Sequence, residues 1–181
     1  MTESTARASD RPDANVSVAC VTQDRPEDVA ALIDALRVQT DPIASLCLVD
    51  AGRTALDEAA LGERIGGAFT LHYRRSVANL GGAGGFALAI LTALASGADQ
   101  VWLMDDDALP EDPECLHTLR EAARERGLAV VSPLIVAPQD HDALAFPFRL
   151  DGGITHRRAD LEPLGFIDSY ANFFNGALMD E

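Results

Sequence analysis

The sequence has 181 residues, a length typical of one domain or of one domain with an appendage. Hydrophobic residues make up 48% and charged residues 24%, which is the balance of a globular chain that can bury a core. This composition excludes a collagenous, low-complexity or wholly disordered protein. Because 29 acidic residues against 14 basic ones leave a net charge of −15, the surface repels nucleic acid and anionic membranes, and we expect no nucleic-acid partner.

Residues 1–14 contain acidic and hydroxyl side chains and no apolar segment, so we expect a disordered tail and not a signal peptide. Strand and helix patterns then alternate up to about residue 132. The predicted elements are strands at 16–21, 45–49, 68–73, 100–104 and 128–132, and helices from Pro26, at 83–96 and at 113–126. This order predicts an α/β fold, a Rossmann-like and mostly parallel sheet with helices on both faces.

Several local signals support these elements. The helix from Pro26 has apolar side chains at i, i+3, i+4 and i+7, namely Val29, Leu32, Ile33 and Leu36. Asp112-Pro113 is predicted to cap and begin the helix at 113–126. After Pro133 the pattern becomes irregular until a last strand at 172–179. The uncharged stretch 76–98 is interpreted as a glycine loop and a buried helix, so no transmembrane segment is expected.

The three cysteines are odd in number and show no C-x-x-C spacing (Cys20, Cys47 and Cys115). This arrangement favours free thiols in a reducing cytosol over a disulfide framework.

Polar residues follow four of the predicted strands. Thr22 to Arg25 follow the first strand, Asp50 to Arg53 the second, Arg74 to Gly85 the third, and Asp105 to Asp107 the strand at 100–104. In an open parallel sheet, ligands bind at the carboxyl ends of the strands. The pattern therefore predicts a nucleotide site with an acidic side, where Arg25 could pair a phosphate.

Three adjacent carboxylates, Asp105 to Asp107, repel one another and raise each other's pKa, so a cation is expected to neutralise them. In an extended segment Asp105 and Asp107 would point the same way, and Mg²⁺ or Mn²⁺ takes one or two carboxylates plus substrate phosphate oxygens. The alternative is a helix cap or a solvated acidic turn. For Asp50 the sequence leaves two roles open: its carboxylate either accepts a hydrogen bond from a base or ribose, or caps its own turn.

The glycine-rich segment 79–85 permits close backbone approach, and the helix that follows it offers free N–H groups to an anion. Its alternative role is tight packing of a helix on the sheet. Gly82, Gly84 and Ala87 also satisfy a dinucleotide pattern, but that pattern follows the first strand of a sheet and this loop follows the third.

Taken together, these motifs resemble glycosyltransferase family 2, the inverting transferases with a GT-A fold. The matching parts are Thr22-x-x-Arg25-Pro26, Val49-Asp50, Asn79-Leu80-Gly81-Gly82, Trp102-x-x-Asp105-Asp106-Asp107 and Phe174 to Met179. Within the family, the segment 79–87 with Met104 to Asp107 is most similar to the galactofuranosyltransferases of actinobacterial cell-wall galactan. Gln23 and Asp24 depart from the usual Thr-aromatic-Asn-Arg loop.

The resemblance implies that the nucleotide is bound by Thr22, Arg25, Asp50, Asn79, Gly81, Gly82 and Asp105, and a Mn²⁺ or Mg²⁺ ion by Asp105 and Asp107. The implied donor is UDP-galactofuranose and the implied acceptor a cell-wall or lipid-linked glycan, at a cytoplasmic location or at the inner face of the plasma membrane. The alternatives are a dTDP-rhamnose-dependent rhamnosyltransferase, a non-catalytic nucleotide-binding module and a dinucleotide-dependent oxidoreductase.

The family's general base, an acid in an Asp-Glu type motif, falls further along than residue 181. We therefore expect a C-terminally truncated fold, with a nucleotide-sugar-binding half at 15–132 and an incomplete acceptor-side region at 133–181.

Overall fold

The structure is a computed structural model that describes residues 13–150, 152–165 and 176–180. Its elements in chain order are β1 (Val16–Thr22), α1 (Pro26–Arg37), β2 (Ser45–Asp50), α2 (Glu58–Ile65), β3 (Thr70–Arg75), α3 (Gly81–Ala95), β4 (Gln100–Asp105), α4 (Cys115–Arg126), β5 (Val130–Val131), β6 (Val136–Ala137), β7 (Asp140–Leu150), β8 (Gly153–Arg157) and β9 (Leu178–Asp180). Two short 3₁₀ helices, Arg158–Asp160 and Glu162–Leu164, follow β8.

The main sheet has six strands in the order β3-β2-β1-β4-β9-β5. The pairs β3-β2, β2-β1 and β1-β4 are parallel, whereas β9 is antiparallel to both β4 and β5. Strands β1 to β3 step outward on one side, and β4 lies on the other side of β1, so the strand order reverses between β1 and β4. This arrangement confirms the predicted α/β fold with a mostly parallel sheet.

Alternate residues of the strands face two separate cores, as expected for a sheet covered on both faces. Val18 and Cys20 of β1 pack in one core with α1, α2 and α4. Ala19 of β1 packs in the other core with Ala89 and Ala93 of α3. The four apolar side chains predicted for α1 are all buried (Val29, Leu32, Ile33 and Leu36), which confirms that helix and its face.

Other predictions for the first 132 residues were wrong in detail. The short helix α2 was not predicted, because only Leu61 and Ile65 of its eight residues are buried and the apolar pattern is too brief. Helix α4 begins at Cys115 and not at residue 113, since the Asp112 carboxylate accepts the N–H of Glu114 in a preceding turn. The strand predicted at 128–132 is reduced to β5, which is antiparallel to its neighbour.

The region after Pro133 is more regular than its sequence indicates. Strands β6, β7 and β8 form a three-stranded antiparallel sheet with irregular register. Leu144, Phe146, Phe148 and Leu150 of β7 are less exposed than the residues between them, so this strand does alternate. The sequence was interpreted as irregular because proline, here Pro147, argues against a strand. Of the strand predicted at 172–179, residues 178–179 lie in β9, whereas 172–175 lie outside the described residues, as do 1–12. No helix in the described ranges is long and apolar enough to cross a membrane.

Candidate functional site

The carboxyl ends of the four parallel strands lie side by side at one edge of the sheet. In the strand registers, Thr22 pairs with Asp50, Asp50 with Arg75, and Val21 with Asp105. The four polar segments identified in the sequence therefore meet at this edge. The reversal of strand order between β1 and β4 opens a crevice there, which is where open α/β sheets bind ligands.

Two residues at the carboxyl end of β1, Thr22 and Arg25, contact the aspartates after β4 across this crevice. The Thr22 hydroxyl donates to Asp106 Oδ2 over 2.6 Å. Arg25 Nη1 donates to Asp106 Oδ1 at 3.0 Å and to Asp107 Oδ2 at 2.6 Å. The sequence predicted a phosphate as the partner of Arg25. In this structure Arg25 pairs two carboxylates, and half of its side chain is exposed.

The three aspartates differ in environment, which the sequence did not reveal. Strand β4 ends at Asp105, and residues 106–107 form a turn, so the expected extended geometry is wrong. Asp106 is buried, Asp105 is half-buried and Asp107 is exposed. Burial raises the pKa of Asp105, and the charges of Asp107 and Asp106 raise it further. Burial also raises the pKa of Asp106, although hydrogen bonding to Thr22 and the Arg25 charge oppose this.

The donor set fits a hard divalent cation that also binds phosphate. Among residues 13–150, 152–165 and 176–180, no group of three or more His, Cys, Asp or Glu side chains is arranged to hold a metal ion. Mg²⁺ and related ions need only one or two protein carboxylates when a substrate supplies phosphate oxygens. Asp105 and Asp107 are carboxylates of this kind, and the raised pKa of Asp105 indicates that a cation there would be favourable.

The glycine-rich segment divides into two parts. Asn79 accepts the N–H of Gly81 at 2.8 Å, and its amide nitrogen donates to Gln23 Oε1 over 3.3 Å, which links the loops after β3 and β1. Gly81 has a φ of 63° and Gly82 has open space around it. Gly85, by contrast, lies against Val21, where a Cβ would be 2.7 Å from a methyl carbon. The packing role therefore belongs to Gly85.

Asp50 is 1% exposed and caps the loop that follows β2. Its Oδ1 accepts the N–H of Gly52 at 2.8 Å, and its Oδ2 accepts the N–H of Leu56 at 3.0 Å and the hydroxyl of Tyr73 at 2.6 Å. Burial alone would raise the pKa of Asp50, but these hydrogen bonds and the Arg75 charge lower it overall. Sequence reasoning missed Tyr73, and no pattern around it indicated this contact.

A cavity of about 300 Å³ lies between the starts of α1 and α2. It is lined by Asp24, Pro26, Thr54, Ala55, Leu56 and Asp57. Asp24 has a φ of 57°, and its carboxylate accepts the Arg53 N–H at 2.6 Å, so the two loops are joined above β1 and β2. A Cβ on Gly52 would lie 2.8 Å from the Asp24 nitrogen, so this approach requires glycine.

A mostly parallel sheet with polar and acidic residues at its switch point is an arrangement that α/β proteins use to bind ligands, and the comparison with protein families identifies the class of protein. Residues 17–175 match the model of glycosyl transferase family 2, and the chain belongs to this family. The resemblance inferred from the motifs is thereby confirmed. The oxidoreductase alternative has no support from this match.

The similar curated proteins are galactofuranosyltransferases. The chain is 40% identical over 171 residues to galactofuranosyltransferase GlfT1 of Mycobacterium tuberculosis, which covers 91% of this chain and 55% of that protein. It is 38% identical over 172 residues to GlfT1 of Mycolicibacterium smegmatis, covering 90% of this chain and 55% of the relative. The chain therefore spans about half the length of these relatives.

Solved structures share the fold at lower identity. The mannosyltransferase PcManGT from Pyrobaculum calidifontis, in complex with GDP-Man and Mn²⁺, has a TM-score of 0.55 at 20% identity over 85% of this chain and 48% of its own. S. aureus TarS 1–349 in complex with UDP-GlcNAc has a TM-score of 0.56 at 15% identity over 83% of this chain and 47% of its own. These similarities confirm the GT-A type of fold.

Proposed function

We propose that this chain carries the donor-binding half of a metal-dependent, inverting galactofuranosyltransferase that uses UDP-galactofuranose. The observation that carries the proposal is the convergence of four strand ends at the switch point, where Thr22 and Arg25 contact Asp106 and Asp107. The identity of 38–40% with galactofuranosyltransferases supports the choice of sugar.

Each side of the crevice has a distinct task in this proposal. In this proposal the nucleotide is bound at the carboxyl ends of the parallel strands by Thr22, Arg25, Asn79, Gly81, Gly82 and Asp105. Asp50 contributes by holding the loop after β2, since both of its oxygens accept hydrogen bonds within the chain. The open backbone around Gly82 leaves room for a phosphate beside the first turn of α3, which carries no acidic residue. Arg25 can turn from Asp107 toward the diphosphate, since its guanidinium is half exposed.

Asp105 and Asp107 would hold the Mn²⁺ or Mg²⁺ ion. Departure of UDP develops negative charge on the diphosphate, and a divalent cation there supplies electrostatic stabilisation of the leaving group. The buried carboxylate of Asp106 accepts the Thr22 hydroxyl and thereby fixes the turn that follows β4, between the two proposed metal ligands.

The acceptor in this proposal is a cell-wall or lipid-linked glycan. A lipid-linked acceptor would bring the chain from the cytosol to the inner face of the plasma membrane. The described residues contain no helix that could span it, so this association would be peripheral for the part of the protein described here.

The decisive experiment is calorimetric titration of the 181-residue chain with UDP, with and without Mn²⁺. Wild type is expected to bind UDP only with Mn²⁺, and Asp107→Ala is expected to abolish this binding because one of the two metal carboxylates is lost. Asp34→Ala is the matched control, since Asp34 is also a surface aspartate paired with one arginine but lies on the third turn of α1.

Three outcomes contradict the proposal. Absence of UDP binding in both conditions would show that the crevice is not a working donor site in this chain. Equal UDP affinity in wild type and Asp107→Ala would contradict the proposal that a metal ion held by Asp107 is required for UDP binding. A clear preference for dTDP over UDP would favour the rhamnosyltransferase.

A further inference from the structure

A network of side chains on the edge strand β3 holds the loop after β2. The Tyr73 hydroxyl donates to Asp50, and burial together with that hydrogen bond raises the pKa of Tyr73 to about 12. Arg75 donates to four backbone carbonyls: to Asp50 at 2.9 Å, to Ser76 at 2.7 Å, to Arg53 at 3.5 Å, and to Gly52. Arg75 therefore contacts the first residues of loop 51–57 directly, whereas Tyr73 acts on this loop through Asp50.

Asp50 has little capacity left for a ligand. Its two oxygens already accept three hydrogen bonds, Arg75 lies 3.8 Å from Oδ1, and the residue is 1% exposed. A carboxylate offers about four acceptor positions, so a nucleotide could reach it only by displacing a donor of the chain. The structure therefore favours a role in shaping the loop for this residue.

The outer part of the same loop lines the cavity at the donor edge. Thr54, Ala55 and Leu56 line this cavity together with Asp24 and Pro26 of the segment after β1. Its volume of about 300 Å³ is at the small end of ligand pockets, which suits one nucleobase better than a whole nucleotide. The Leu56 N–H bonded to Asp50 connects this wall directly to the network.

We propose that Tyr73 and Arg75 are positioning residues for nucleobase recognition, which hold Asp50 and loop 51–57 as one wall of the base pocket without contacting the base. The inference rests on the proposed function, because it takes the ligand of this edge to be a nucleoside diphosphate. It adds that base discrimination depends on two side chains of the edge strand β3, which hold the loop that lines the pocket.

The test compares Tyr73→Phe, Arg75→Lys and Arg74→Lys by calorimetric titration with UDP, CDP and GDP in the presence of Mn²⁺. Arg74 is the matched control, since it is the neighbouring arginine and, among the described residues, its guanidinium donates to the Tyr73 carbonyl at 3.3 Å and not to loop 51–57. Arg75→Lys retains the positive charge but loses the planar group that reaches several carbonyls. Tyr73→Phe removes a single oxygen atom.

The first two variants are expected to weaken UDP binding about tenfold, the equivalent of one hydrogen bond to a charged group, and to narrow the preference for UDP over CDP and GDP. Amide hydrogen exchange at 52–56 should also become faster in them, whereas Arg74→Lys should resemble wild type. If Arg75→Lys does not fold, the nucleotide affinities and the base preference of Tyr73→Phe are sufficient to test the inference.

Unchanged UDP affinity and preference in folded Tyr73→Phe would overturn the inference. An equal loss for all three nucleotides would also overturn it, because it would indicate a general structural role. Failure of wild type to bind any nucleotide would contradict the proposed function instead, so the two failures are distinguishable.

Discussion

Gly85 marks the closest approach of α3 to the sheet, and its replacement by alanine tests how the glycine-rich segment works. A Cβ at this position would lie 2.7 and 3.0 Å from the two methyl carbons of Val21. Val21 belongs to β1 immediately before the crevice, and its β-branched side chain has little rotamer freedom with which to yield. Gly85→Ala should therefore force α3 outward.

The expected loss of folding stability is estimated by comparison with Gly82→Ala. Gly82 belongs to the same helix, and an added Cβ there would have nothing within 4 Å. Overpacking a core by one methyl group costs about 1–3 kcal/mol. Replacing a helical glycine by alanine stabilises by up to about 0.5–1 kcal/mol, and this gain is common to both variants. Gly85→Ala should thus be about 1–3 kcal/mol less stable than Gly82→Ala.

Urea unfolding followed by circular dichroism measures this difference. With a slope of about 2 kcal/mol/M, the two midpoints should differ by roughly 0.5–1.5 M, with equal slopes for both variants. Equal midpoints for Gly85→Ala and Gly82→Ala would refute the reasoning, since they would show that Val21 does not limit the approach of α3.

Three further predictions follow from buried polar groups. Thr22→Val should cost about 1.5–3 kcal/mol, because the buried Asp106 carboxylate loses a donor. Thr92→Val should cost less, about 0.5–1 kcal/mol, because the Thr92 hydroxyl donates to the Leu88 carbonyl of its own helix and no buried carboxylate loses a donor. Because folding lowers the pKa of Asp50, the stability that its carboxylate contributes should be fully present above about pH 4 and lost as the pH falls through the folded-state pKa. The unfolding free energies of wild type and Asp50→Asn should therefore converge in acid. Burial, and then the nearby aspartates, raise the pKa of the Cys20 thiol, so a thiol reagent at pH 8 should label it only after urea unfolding.

Each of these predictions has a contradicting result. Equal losses in Thr22→Val and Thr92→Val would show that the Asp106 contact is not special. A constant stability difference between wild type and Asp50→Asn down to pH 2 would contradict the lowered pKa. Labelling of Cys20 in the folded chain at the rate of an exposed thiol would contradict its burial.

Local periodicity was sufficient to predict much of the main sheet. The apolar spacing of α1, the buried runs of β1, β2 and β4 and the uncharged α3 all indicated their elements, because each of these patterns is contained in one local stretch of the chain. The pattern failed for α2, where the apolar spacing is brief, and for β7, where Pro147 argued against a strand. The antiparallel insertion of β9 between β4 and β5 was not predicted either, because strand order is a property of long-range pairing.

For the candidate site, the sequence determined which residues lie at the carboxyl ends of the strands, since parallel strands share one edge and the chain order of strands and polar segments is visible. Only the tertiary structure decided what each side chain does there. Asp106 accepts a hydrogen bond from Thr22, 84 residues away, and Asp50 accepts one from Tyr73, 23 residues away. Such contacts depend on the packing of separate strands, which a pattern of neighbouring residues does not encode.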